Sequence, residues 1–206
     1  MVKVQLPKLL LEEVDCFISI PVLKVHVMTG VTLTIKNLWG CYPDSVRGLH
    51  HKNLNHKLAL ITKLLNSKIV VIDGMYALDG HGPMYGEVKK MDMIISSNNA
   101  VVADSLGAAV MGIPLKKAEH ILIAEKEGLG TTNLGEIRMN ENWEKFKTQF
   151  YINKTLIDML SVPLFHSEIL AKIVLDSSFT PIIYKVGKFL RNPDEKKLAT
   201  QIKRCH

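Results

Sequence analysis

VDCFISIPVLKVHV, residues 14–27, is the stretch on which the fold turns. Its first half, 14–20, is a compact apolar run with β-branched and aromatic side chains, which predicts a strand buried on both faces. Pro21 has no N–H to offer a ladder and interrupts the run. Residues 22–27, VLKVHV, then resume as an alternating extended piece. Lys24 and His26 stand two apart on it and project to one side.

Outward from here the periodicity alternates. Residues 29–39 predict a short helix that stops at Gly40. Leu54, Leu58, Ile61 and Leu65 recur at helical spacing, with Lys57 and Lys63 off their face, and predict a helix over 51–66. KIVVI (68–72) reads as a short buried strand ended by Asp73 and Gly74, DGHGPMYG (79–86) as a glycine-rich loop, and 91–96 as another strand. NAVVADSLGAAVM (99–111) predicts a buried helix stopped by Gly112 and Pro114, and a helix over 117–127 is capped by Gly128. An edge strand over 136–139 and a helix over 143–151 follow. Short strands alternating with helices predict an α/β domain over 1–151, with a mainly parallel sheet and helices on both faces. From 152 the strand signals thin out, and 152–206 reads as a helical, basic appendage in which Asn192, Pro193 and Glu195 form a helix start.

The chain has 206 residues, 47% hydrophobic and 22% charged, which excludes wholesale disorder, collagen and a disulfide scaffold. No run approaches the ~18–20 apolar residues of a membrane span, and the start lacks the layout of a signal peptide. The expected address is therefore the cytoplasm, with no transmembrane segment. Cys16, Cys41 and Cys205 are widely spaced and form no C-x-x-C pair, so zinc-ribbon and ferredoxin ligand sets are missing. Of the net charge of +6, most sits at the end: residues 185–206 hold seven basic and two acidic side chains. The body is nearly neutral, and no nucleic-acid partner is expected.

Two groups of side chains could carry chemistry. Lys24, His26, Lys36, Asn37, Arg47 and His50 bring cations and donors to what should be the C-terminal end of the first strand, where ligands bind in open α/β sheets. Such a set suits a carboxylate or phosphate, and His26 or His50 could move a proton. The second group is Asp73, Asp79 and Asp104. Asp104 interrupts a helix of Val, Ala and Gly and needs a partner there, either a lysine or a divalent cation. Gly80 and Gly82 open a loop whose amides could touch an anion. It is no dinucleotide fingerprint, because the text after it reads as a strand and not a helix.

SIPVLKVHVMTGVTLTIKNLWG (19–40), VVIDGMYALDGHGPMYG (70–86), NAVVADSLGAAVMG (99–112) and EKEGLG (125–130) together resemble the domain-of-unknown-function 362 (DUF362) family of bacteria and archaea. The resemblance runs over residues 18–130. It implies an association with ferredoxin-type 4Fe-4S modules but no established reaction. The chain looks short at its N-terminus by that standard and lacks the cysteine module, so no iron–sulfur cluster is expected within it. Two functions follow as expectations. One is an enzyme-like domain binding a small anion, with a divalent metal on the aspartates. The other is a non-catalytic accessory or split-domain partner of an iron–sulfur or ferredoxin-type protein; a second chain completing the domain, and separately an oligomer, are also among the expectations.

Overall fold

The computed structural model describes residues 2–178, 180–183 and 185. Residues up to Asp44 and the stretch Asn53–Ile152 form one compact unit; Ser45–Lys52 groups with residues from Asn153 onward in a second.

The first unit is built on a five-stranded sheet. β1 (Ile18–Ser19) and β2 (Val22–His26) lie along the same neighbour, β4 (Ile69–Asp79), in parallel. Ile18 faces Ile69, Ser19 faces Val70 and Val22 faces Asp73, a constant offset, so β1 and β2 are one strand line interrupted at Pro21. Proline cannot donate there, but its carbonyl still accepts the Asp73 amide at 2.8 Å. β3 (Gly30–Thr32) folds back antiparallel on β2, and β5 (Glu87–Ser97) runs antiparallel along β4. Parallel pairing thus holds the centre, antiparallel pairing the flanks.

β4 is longer than the sequence predicts. Gly74 does not end it, because a Cβ at that position would sit 2.9 Å from Met93 Cγ and O: the glycine allows close cross-strand approach. A bulge between Gly74 and Tyr76 absorbs the misfit and the ladder continues to Asp79. The expected helix over 29–39 is likewise corrected. Its first residues, with β-branched Val31 and Thr32, form β3, and only α1 (Thr34–Asn37) and a 3₁₀ turn (Leu38–Cys41) are helical.

α2 (Leu54–Leu65), α3 (Ala100–Val110) and α4 (Glu119–Lys126) supply the helical packing. Leu54, Leu58, Ile61 and Leu65 are buried as their spacing demanded. They share one core with Leu23, Val25, Val31, Leu33, Ile72 and Ile121. The strand positions that alternate with these are open: Val22, Ile69 and Ile94 are all exposed. The predicted edge strand over 136–139 is absent; a 3₁₀ turn (Leu134–Glu136) precedes it in the chain. The predicted helix over 143–151 shrinks to one turn, Trp143–Phe146. Its continuation is extended because the amides of Thr148 and Phe150 donate to Val110 O and Met111 O, at 2.8 and 2.9 Å.

In the second unit a 3₁₀ turn (Arg47–His50) belongs with α5 (Leu156–His166) and α6 (Glu168–Leu175). Thr155 and Asp158 cap α5 reciprocally. His51 meets the Phe165 ring edge-on, 5.4 Å between centroids. Among the described residues no helix is long and apolar enough to cross a membrane. The helix start at Asn192, Cys205 and most of the basic tail lie outside the described residues.

Candidate functional site

His26 closes β2 and is buried. Its Nδ1 accepts the amides of Met28 and Thr29, at 3.1 and 3.4 Å, so in the neutral ring the proton sits on Nε2. Across the β2–β3 hairpin His26 pairs with Gly30 and Lys24 with Thr32. Thr32 is buried, and its Oγ1 has no hydrogen-bond partner. The turn into α4 lies directly on this hairpin: a Cβ on Gly30 would stand 2.3 Å from Lys117 O.

That turn delivers His120 into the interior. The ring is fully buried, and neither Nδ1 nor Nε2 has a hydrogen-bond partner. Burial, reinforced by the nearby Lys36 ammonium, pushes its pKa down to about 3, so it is neutral at ordinary pH. Lys36 comes from α1, which is held from below by Asp104. The Asp104 carboxylate is wholly buried; Oδ1 accepts the Thr34 amide at 2.7 Å and Oδ2 the Ile35 amide at 2.8 Å. Those amides open α1, so the buried acid caps the short helix that carries Lys36 and Asn37. Burial raises the Asp104 pKa to about 7, against the pull of the two amides.

These opposite shifts predict a hidden pH dependence. Between the unfolded value of 3.8 and about 7, folded Asp104 keeps a proton that the unfolded chain has lost. Its contribution is therefore present at low pH and vanishes as pH rises through 7. Between about 3 and 6.5 the unfolded His120 takes a proton that the folded ring refuses, so its contribution vanishes as pH falls. Over the shared window the two slopes oppose, each up to about 1.4 kcal/mol per pH unit. Urea midpoints at pH 4.5, 5.5 and 6.5 should show His120→Gln losing stability towards pH 6.5 and Asp104→Asn gaining it, both relative to the parent. Parallel profiles for all three proteins would remove the argument.

Asp73, Asp79 and Asp104 do not form one cation site. Asp73 lies in mid-strand, where its Oδ1 accepts the Met75 amide at 2.9 Å. Asp79 ends the same strand, roughly 20 Å along at ~3.3 Å per residue. It pairs with Lys89 Nζ at 2.6 Å and accepts the amides of Gly80 and Tyr151, both at 2.7 Å. Asp104 sits on α3. Among the described residues no three His, Cys, Asp or Glu side chains group closely enough for a metal ion. The Gly80 amide is spent on Asp79 and on Tyr151 O. Gly82 is a packing glycine: a Cβ there would stand 2.0 Å from Val25 O, and its own carbonyl accepts the Val27 amide. The loop thus rests against the end of β2. Asn37 is exposed at the end of α1, while Arg47 and His50 belong to the second unit.

Sequence reasoning missed His120 and Thr32. A signal existed for the first: His120 stands three and four residues before Ile123 and Ala124, on the buried stripe of α4. None existed for Thr32, whose burial depends on the hairpin.

The model of the family described as a domain of unknown function, DUF362, matches residues 1–109. A curated relative, the thylakoid-associated protein sll1697 of Synechocystis sp., is 25% identical over 127 residues, which cover 58% of this chain and 40% of that protein. No solved structure matches the chain.

Proposed function

The chain belongs to the DUF362 family of domains of unknown function, and from that premise we propose that its first unit binds a small anion, a carboxylate or a phosphate, beside Lys24, His26 and Lys36. One observation carries the reading. Three buried polar atoms are without partners: Thr32 Oγ1, which stands across the hairpin from Lys24, and both ring nitrogens of His120, which lies near Lys36. Unpartnered polar groups in a dry interior cost about 1–3 kcal/mol each, and a ligand that bonds to them recovers that cost. Neutral His120 offers one donor and one acceptor, Thr32 a hydroxyl, and the lysines the charge. His26 is the group suited to hand over a proton, since two amides fix its tautomer. No divalent metal enters the proposal, because the three aspartates are spent elsewhere in the fold.

Melting curves with inorganic phosphate, acetate and succinate test it. Stabilisation by at least one of them should shrink about tenfold in apparent affinity in Lys24→Ala and in Lys36→Ala. A flat response of the parent across the panel would overturn the proposal. That outcome favours the second reading, a non-catalytic or split-domain partner of an iron–sulfur or ferredoxin-type protein, which the open Val22, Ile69 and Ile94 positions support. The chain spans 40% of the length of the curated relative, so both readings concern a part of what such proteins contain.

A further inference from the structure

Among the described residues β5 has a ladder partner on one side only. Beside its other edge lies a cavity of about 480 Å³, between β5, α3 and the segment 137–146. Its walls are Met93, Ile95, Val102, Leu106, Trp143 and Phe146. That volume falls in the range of small-molecule sites, and the lining is mainly apolar, with Ser96, Ser97, Asn98 and Asn140 among its polar members. Its charged lining residues are Arg138 and Glu141. Glu141 is engaged by Lys145. Arg138 is exposed and makes no ion pair among the described residues. A guanidinium left unpaired at the border of an apolar cavity is complementary to a molecule with one anionic head and an apolar body.

We propose that this cavity binds an amphipathic carboxylate, with its apolar body against Trp143, Phe146, Val102 and Leu106 and its carboxylate paired to Arg138. The site is independent of the anion site beside Lys24 and uses none of its residues. A pure hydrocarbon would leave Arg138 unused. A small hydrophilic anion would leave the apolar walls unfilled.

Trp143 provides the readout. The other tryptophan, Trp39, is buried and stacked on Tyr42 with ring centroids 4.8 Å apart, so Trp143 is the one at the cavity. The full chain is titrated with dodecanoate and, as the uncharged counterpart, dodecan-1-ol, both below micelle formation. Dodecanoate should shift Trp143 emission saturably and raise the melting temperature. Arg138→Gln, an exposed change that leaves the core intact, should weaken dodecanoate about tenfold and leave dodecan-1-ol unchanged. Trp143→Phe should erase the emission response but keep the thermal one. Absence of any saturable response to dodecanoate would overturn the proposal. So would Arg138→Gln binding dodecanoate as tightly as the parent does.

Discussion

Replacing Asp104 with alanine should lower the stability of the first unit by about 3–5 kcal/mol, summing two buried amides left without acceptors and the space vacated inside α3. For a chain of this size that is roughly a 6–20 °C fall in Tm. The size of the effect follows from geometry. Both carboxylate oxygens are used, at 2.7 and 2.8 Å, and each serves a different amide. Asparagine keeps the volume but has only one oxygen, so Asp104→Asn should cost less, about 2 kcal/mol. The change is also not confined to stability. The two amides open the helix that carries Lys36, so ligand-induced stabilisation by phosphate or carboxylate should weaken in Asp104→Asn although residue 104 touches no ligand. A variant that melts like the parent would show that α1 holds its place without the buried acid.

The second large effect is expected at Asp79. Its carboxylate joins three partners, Lys89 Nζ and the amides of Gly80 and Tyr151, and so pins the extended segment 148–152 to the end of β4. Lys89 in turn donates to Gln149 O at 2.6 Å and lies over the Phe150 ring, 4.7 Å from its centroid. Phe150 is buried in the core. Asp79→Ala should therefore cost about 3–4 kcal/mol and expose residues 148–152 to hydrogen exchange. Lys89→Met should cost about 2 kcal/mol, because Lys89 is partly exposed and the two amides still hold the acid. If Asp79 were a cation ligand in this fold, added magnesium would raise the melting temperature of the parent and not of Asp79→Ala. The ion pair with Lys89 predicts no difference.

Much of the architecture was legible because it depends on local periodicity. The spacing of Leu54, Leu58, Ile61 and Leu65 is a property of one helix, and it located α2 to within a few residues. VLKVHV alternates as a strand must, and β2 is Val22–His26. The misses share a cause. Gly74 looks like a stop to a reader of one strand and is an accommodation once β5 lies beside it. Residues 148–151 read as helical until α3 and Asp79 supply partners for their amides. The Thr-rich segment after Gly30 had no local mark of the hairpin it forms.

The same division separates what each source determined about the site. The sequence alone marked Lys24, His26 and Lys36 as candidates, because cations among apolar neighbours stand out in the text, and it marked Asp104 as a buried acid in need of a partner. Only the tertiary structure showed that both oxygens of this acid accept the backbone amides that open α1. It alone brought His120 in beside Lys36 and separated the three aspartates. Charge and hydrophobicity are written in single residues, whereas a desolvated histidine or a capped helix exists only where distant segments meet and exclude water.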